Sequence, residues 1–165
     1  MDERLKEVYQ KIYEGEAKAA LRLKLFAKEA DKEQLPQIAK LFRVISFSEE
    51  IHGERALRML REIKDTEQNL KESFDSETAV AGVAYDQFLR LAEEVGDKAS
   101  SLIFSHSRDA EEIHAALYKK AMGHLMGEKD TTYYICQVCG YVSDGVWPDM
   151  CPVCSAPKNQ FVKFD

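Results

Sequence analysis

Hydrophobic residues recur at three- and four-residue steps from Glu3 to about Ala30: Leu5, Val8, Ile12, Ala19, Leu23 and Phe26. That period, with no proline and one glycine in the stretch, predicts an amphipathic helix. Asp31 to Leu35 interrupts it, and Pro36 suits the first turn of the next helix, where its missing N–H has no intrahelical partner to lose. A second helix is predicted from about Pro36 to Ile63, carrying Ile38, Leu41, Phe42, Ile45 and Phe47. Lys64-Asp65-Thr66 forms a short break in which Thr66 can cap a third helical stretch. That stretch continues to about Val95, Gly96-Asp97 supplies a stop and a new N-cap, and a fourth helix runs from about Lys98 to Met126. The pattern is that of an all-α four-helix bundle.

One tetrapeptide inside this pattern occurs twice, as Glu49-Glu50-Ile51-His52 and as Glu111-Glu112-Ile113-His114. Residues three apart on a helix share a face, so each copy presents a carboxylate beside an imidazole. The surroundings repeat too. Phe42 and Phe104 each precede the motif by seven residues, and Tyr13-Glu14-Gly15-Glu16 is echoed by Phe74-Asp75-Ser76-Glu77. Glu16 lies 33 residues before Glu49 and Glu77 lies 34 before Glu111, which in antiparallel hairpins brings each lone Glu level with its Glu-x-x-His. The resulting set, Glu16, Glu49, His52, Glu77, Glu111 and His114, is what a two-metal carboxylate bundle requires. Four carboxylates balance two divalent cations and two neutral imidazoles complete the coordination; six such groups on apolar faces would be costly to bury unpaired. Glu50 and Glu112 point about 100° away from the ligand face, and His106 and His124 fit neither motif.

Composition narrows the classes. The 165 residues are 45% hydrophobic and 32% charged with a net charge of -6, which fits an ordinary globular protein and argues against a nucleic-acid groove. No apolar run approaches the roughly 18 residues of a membrane span, and Met1-Asp2-Glu3-Arg4 lacks the core of a signal peptide. A cytoplasmic location is expected, where disulfides are rare.

All four cysteines fall in the last 30 residues. Cys136-Gln137-Val138-Cys139-Gly140 and Cys151-Pro152-Val153-Cys154-Ser155 are two Cys-x-x-Cys knuckles, a closed tetrahedral site for zinc or for a single iron. A module of this size needs metal and aromatics to fold, so Tyr134, Tyr141, Trp147 and Phe161 are expected as its core. The polar stretch Gly127-Glu128-Lys129-Asp130 separates it from the helices, giving domains at 1–127 and 131–165.

The paired Glu-x-x-His motifs, Asn69-Leu70-Lys71 ahead of Glu77, and the tail Cys136-x-x-Cys139-Gly140-Tyr141 … Cys151-Pro152-Val153-Cys154-Ser155-Ala156-Pro157-Lys158 together resemble rubrerythrin. The resemblance covers nearly the whole chain. It implies a ferritin-like di-iron bundle fused to a rubredoxin-like module in which the four cysteines hold iron. It also implies a non-haem peroxidase that reduces hydrogen peroxide to water for oxidative-stress defence. Electrons would pass from an external donor, rubredoxin or an NAD(P)H-dependent reductase, through the cysteine site to the di-iron centre. The family forms dimers in which a cysteine site generally serves the partner chain's di-iron site. Tyr85, eight residues after Glu77, matches a family tyrosine whose hydroxyl can hydrogen-bond a ligand carboxylate.

Two departures alter these expectations. The family usually carries a further Glu three residues after the third-helix Glu, where this chain has Val80, matched in the first half by Ala19. That Glu is used in a redox-linked ligand exchange, so here His52 and His114 are expected to stay bound in both oxidation states. Leu23 stands where the family often has a second tyrosine. The symmetry leaves room for a ferroxidase or iron-handling protein using dioxygen, for manganese in the bundle, and for a non-enzymatic electron-transfer protein. Finally, the break near Lys64 to Gln68 is short for a crossover along the bundle, which points to a homodimer that exchanges helix pairs.

Overall fold

The computed structural model describes residues 1–123 and 131–164. The expected end of the fourth helix at Met126, His124, the stretch Gly127–Asp130 and Asp165 lie outside the described residues. The chain divides into two compact units, Met1–Lys64 and Asp65–Asp165. The helices follow the all-α, ferritin-like plan and precede a small sheet-and-loop module.

The first unit is a helical hairpin of α1 (Glu3–Lys32) and α2 (Pro36–Leu60). Asp2 caps α1 by accepting from the Arg4 N–H at 2.9 Å, and Pro36 opens α2. Arg61 adopts the left-handed conformation (φ 60°) and ends α2 at Leu60, short of the expected Ile63. The seam of the hairpin is made of small residues: Ala20, Ala27 and Ala30 on α1, and Ala39, Ser46, Gly53 and Ala56 on α2 are all buried. Ala39, Ser46 and Gly53 are seven residues apart, two helical turns, so they stack along one stripe. Ser46 is 1% exposed, and its hydroxyl donates to the Ala20 carbonyl at 2.9 Å, satisfying a group that burial would otherwise penalise. Larger members of the predicted stripe, Ile12, Phe26 and Ile45, stay 38, 46 and 40% exposed.

The second unit opens with α3 (Thr66–Ala79). Its cap is Asp65, which accepts from the Gln68 N–H at 2.9 Å, and not Thr66, which is already helical. The expected single helix to Val95 is interrupted by a π-helical turn over Val80–Ala84 before α4 (Tyr85–Glu94) and α5 (Lys98–Gly123). Gly96 takes φ 73°, and Asp97 caps α5 by accepting from the N–H groups of Ala99 and Ser100 at 3.0 and 3.1 Å.

The π-turn explains the unequal spacing of the repeat. From Glu49 to Glu111, His52 to His114, Phe26 to Phe88 and Phe42 to Phe104 the offset is 62 residues, but from Glu16 to Glu77 it is 61. A π-turn holds one residue more than an α-turn, and it lies between Glu77 and Phe88. The surplus residue is absorbed there, so the rest of the second hairpin keeps the register of the first. The aromatic pairs confirm that register: Phe26 and Phe42 have ring centroids 5.7 Å apart, and so do Phe88 and Phe104.

The module is a three-stranded antiparallel sheet in the order β2-β1-β3, with β1 Tyr133–Cys136, β2 Val142–Asp144 and β3 Phe161–Phe164. Cys136, Cys151, Ala156 and Phe161 are its buried core, with Tyr134 and Tyr141 packed against them. Trp147 departs from expectation. It is 45% exposed, stacked on Tyr134 at 5.3 Å, with the Lys158 ammonium 5.0 Å from its ring centroid. The indole covers the module from outside and does not fill it.

Candidate metal centres

Three groups of potential ligands come together, each with donor atoms within 4.8 Å of one another: Glu16, Glu49 and His52; Glu77, Glu111 and His114; and Cys136, Cys139, Cys151 and Cys154. These are the residues singled out from the sequence.

In the first hairpin, the small-residue seam sets Glu16 opposite the Glu49/His52 face. A Cβ on Gly53 would sit 3.7 Å from the Glu16 Cβ, which shows how near the two backbones run. His52 Nδ1 lies 3.0 Å from Glu49 Oε2, with the imidazole half exposed. Glu50, as expected, turns away and pairs with Lys24.

In the second hairpin, His114 Nδ1 lies 2.9 Å from Glu111 Oε2 and both side chains are 25% exposed. Burial pushes the Glu77 carboxyl up to about 7, reinforced by its hydrogen bond to Glu111 and the charge there, while His114 pulls the other way. The Glu77 carboxyl, pressed against a second carboxyl in a half-buried place, resists ionisation until a cation arrives. Tyr85 packs its ring against Phe88 at 5.7 Å and Phe104 at 6.5 Å. Among the described contacts its hydroxyl meets no ligand carboxylate, so the hydrogen bond expected there is absent. Val80 opens the π-turn, and His106 and exposed Glu112 join no ligand group.

The knuckles of the module repeat each other as well. The Gly140 N–H donates to the Cys136 carbonyl and the Ser155 N–H to the Cys151 carbonyl, both at 2.9 Å. The residue after each second cysteine is left-handed, Gly140 at φ 82° and Ser155 at φ 60°. Cys136 and Cys154 Sγ are 3.7 Å apart, and Cys139 and Cys151 Sγ 3.6 Å. A tetrahedron with metal–sulfur bonds of about 2.3 Å has edges near 3.8 Å, so the donor set fits one metal. Burial pushes the Cys139 and Cys154 thiols up. At Cys136 burial is outweighed by the N–H groups of Cys139 and Val138 and by the Cys154 thiol, and the net shift is downward. The helical groups pass the same test. Ligands about 2.0–2.2 Å from one cation at right angles lie roughly 3 Å apart, close to the Nδ1–Oε2 separations of 3.0 and 2.9 Å.

One contact has no counterpart in the pattern of residues along the chain. The His114 Nε2 donates to the Gly140 carbonyl at 3.0 Å, tying the second helical group directly to the first cysteine knuckle. Lys120 and Asp144 form an ion pair between the same helix and the module. No residue spacing could have announced a bond to a main-chain carbonyl. The π-turn did leave a signal, the spacing of 34 against 33.

Helical hairpins bearing Glu and His clusters, followed by a four-cysteine knuckle module, define a class: iron oxidoreductases with a ferritin-like part and a rubredoxin-like part. Residues 7–122 match the family described as rubrerythrin, and residues 134–162 match the rubrerythrin rubredoxin-like domain. The chain belongs to the rubrerythrin family. It is 28% identical to rubrerythrin-2 of Clostridium acetobutylicum over 92% of each chain. With nigerythrin of Nitratidesulfovibrio vulgaris the identity is 27%, over 91% of this chain and 81% of the relative. A solved structure of nigerythrin in its partially reduced state superposes with a TM-score of 0.60 at 26% identity, covering 96% of this chain and 86% of that one. The fully reduced, all-ferrous nigerythrin also gives a TM-score of 0.60. The chain is accordingly an iron protein, with a di-iron centre and one iron at four cysteines. Among the described residues no helix is long and apolar enough to cross a membrane.

Proposed function

We propose that this protein reduces hydrogen peroxide to water, with electrons entering through the four-cysteine iron. The observation that carries this reading is the 3.0 Å hydrogen bond from His114 to the Gly140 carbonyl. It links Cys139 to a helical ligand group through the main chain of the next residue, Gly140, one hydrogen bond and an imidazole. A structural zinc ribbon would have no need of such a link.

Bound iron supplies the redox chemistry that splits an O–O bond. Per peroxide the reaction consumes two electrons and two protons and yields two waters; the electrons come one at a time from an external donor, rubredoxin or an NAD(P)H-dependent reductase. Glu16, Glu49, Glu77 and Glu111 are assigned as the carboxylate ligands, matching the charge of two divalent cations, with His52 and His114 binding through Nδ1. Cys136, Cys139, Cys151 and Cys154 hold the third iron. Tyr85, packed against Phe88 and Phe104, is assigned by the family resemblance as a hydroxyl beside the loaded centre. The functional division is 1–127 for the di-iron part and 131–165 for the relay. A reducing cytoplasm suits four cysteines kept free of disulfides.

Val80 and Ala19 give neither hairpin a spare carboxylate, so His52 and His114 stay bound in both oxidation states. An iron that moves between a histidine and another protein ligand, in structures of the oxidised and reduced protein, would refute this. The same symmetry favours a second reading, a ferroxidase that uses dioxygen and carries iron as cargo.

The assembly is a homodimer that exchanges hairpins. Residues 61–65 connect α2 to α3, and five extended residues reach about 18 Å. The 25 residues of α2 measure about 38 Å. A partner hairpin also covers the apolar side chains left exposed at Ile12, Phe26 and Ile45. A monomer with an intact di-iron centre would contradict the exchange.

Metal analysis with absorption spectroscopy tests the main reading. It expects about three irons per chain, from the donor sets above, and a red iron–thiolate colour that bleaches on reduction and returns with peroxide. Zinc at the cysteines would remove the relay. Turnover with dioxygen alone and a growing ferric core would favour the second reading.

A further inference from the structure

The two helical ligand groups have the same residues but not the same support. In the second, the imidazole of His114 places Nδ1 2.9 Å from Glu111 Oε2 and is anchored through Nε2, 3.0 Å from the Gly140 carbonyl. A carbonyl only accepts, so Nε2 carries a proton and Nδ1 alone is available to a metal. In the first group His52 meets Glu49 at 3.0 Å through Nδ1. Among the described residues nothing orients its Nε2, and its side chain is 50% exposed against 25% for His114. Among those residues the ring of His52 lacks an anchor at Nε2 and must be immobilised when it binds; that of His114 already has one.

We infer that the two metal positions are unequal and fill in order, Glu77/Glu111/His114 first and Glu16/Glu49/His52 second, because the cysteine module pre-orients His114. This rests on the proposed two-metal reading of the helices and adds a hierarchy to it. The module is thereby a positioning element for the metal it serves, besides being its electron source. Removing an outer partner of a ligating histidine typically weakens a site about 10–100-fold, and that is the expected gap between the two affinities. The position coupled to the module is occupied before the other, so a half-loaded chain holds its metal where electrons arrive.

The test uses the full-length protein with zinc in the cysteine site and the helical sites emptied by a chelator. Manganese(II), which prefers oxygen and nitrogen donors and leaves thiolate sites alone, is titrated while the electron paramagnetic resonance of free ion is followed. Two equivalents per chain are expected in two steps, with His114→Gln abolishing the tighter and His52→Gln the weaker. Two equivalents in one step overturn the order, as does a tight step that survives His114→Gln and vanishes in His52→Gln. Fewer than two equivalents overturn the two-metal reading itself. A measurement on the unsubstituted, manganese-free protein guards against variants that misfold. Nitrogen-15 imidazole spectra should show a protected Nε2–H for His114 and a freely exchanging one for His52. Equal exchange at both rings contradicts the inference.

Discussion

The first hairpin and the second carry one ligand plan on two kinds of support. In α1–α2 an uninterrupted stripe of alanine, serine and glycine sets the backbone spacing, and the carboxylates and imidazole project from two regular helices. In α3–α5 the same three ligands sit beside a π-turn, an aromatic cluster of Tyr85, Phe88 and Phe104, and a main-chain carbonyl of the cysteine module. The difference teaches that ligand identity is set by a duplicated helical pattern, whereas the working asymmetry comes from what surrounds it. Both hairpins gather a Glu/Glu/His donor group, and among the described residues only the second is hydrogen-bonded to the cysteine module.

The largest effect should come from removing the module's metal. In Cys151→Ser the knuckle pair loses a ligand, and small metal-dependent domains unfold without their ion. Donor-driven peroxide turnover should fall to background, while the first hairpin's ligand group, which makes no use of the module, should still bind manganese. Persistence of donor-driven turnover would end the relay account.

Overpacking the seam comes next. Ala39 is fully buried against α1, and Ala39→Leu should cost about 1–3 kcal/mol in denaturant unfolding. Any weakening at Glu16/Glu49/His52 should be small, because Gly53 and not Ala39 is the seam residue beside Glu16, and the second hairpin's group should be unaltered.

Acidity should separate the hairpins as well. The Glu77 carboxyl is raised to about 7, first by burial, above its unfolded value. A carboxyl with a raised folded pKa favours the fold while protonated. The metal-free second hairpin should therefore lose stability as pH climbs from about 4.5 through about 7, with no further loss from this group beyond. Metal binding needs the ionised form, so uptake should release protons and weaken below neutral pH. Thermal unfolding of the metal-free protein across that range, alone and as Glu77→Gln, is the check; Glu77→Gln should flatten the slope.

The same contrast decides how much was legible in the sequence. The candidate donor groups were legible because metal chemistry demands particular side chains at helical spacing, and the knuckles were legible for the same reason. The small-residue seam was hidden, since Ala39, Ser46 and Gly53 are unremarkable in composition and the eye follows Ile38, Ile45 and Phe47. Third-helix periodicity concealed the π-turn because an extra residue shifts phase by only one position. Trp147 was misplaced because aromatic residues fill a small core or cap it from outside with equal ease. The bond to Gly140 involves no side chain on its accepting end and leaves no trace in residue identity.

If the second hairpin is the first plus one residue, deleting Gly82 should convert the π-turn to regular helix, restore the spacing of 33 and leave manganese stoichiometry unchanged. Loss of the Glu77 ligand on deletion would show that the turn aims Glu77 and does not merely absorb a surplus. The smallest effect is expected at Gly53. An added Cβ there makes only ordinary contact, 3.7 Å from the Glu16 Cβ, so Gly53→Ala should stabilise the first hairpin by about 0.5–1 kcal/mol through helix propensity. Destabilisation would mean that the seam tolerates no methyl group at the metal level.

The electron relay is tested most directly by rapid mixing of the fully reduced, iron-loaded protein with substoichiometric peroxide while the iron–thiolate absorption is followed. The colour of the cysteine iron should return after peroxide is consumed, and His114→Gln should delay this return more than His52→Gln does. Peroxide consumption with a cysteine iron that stays reduced would contradict the relay.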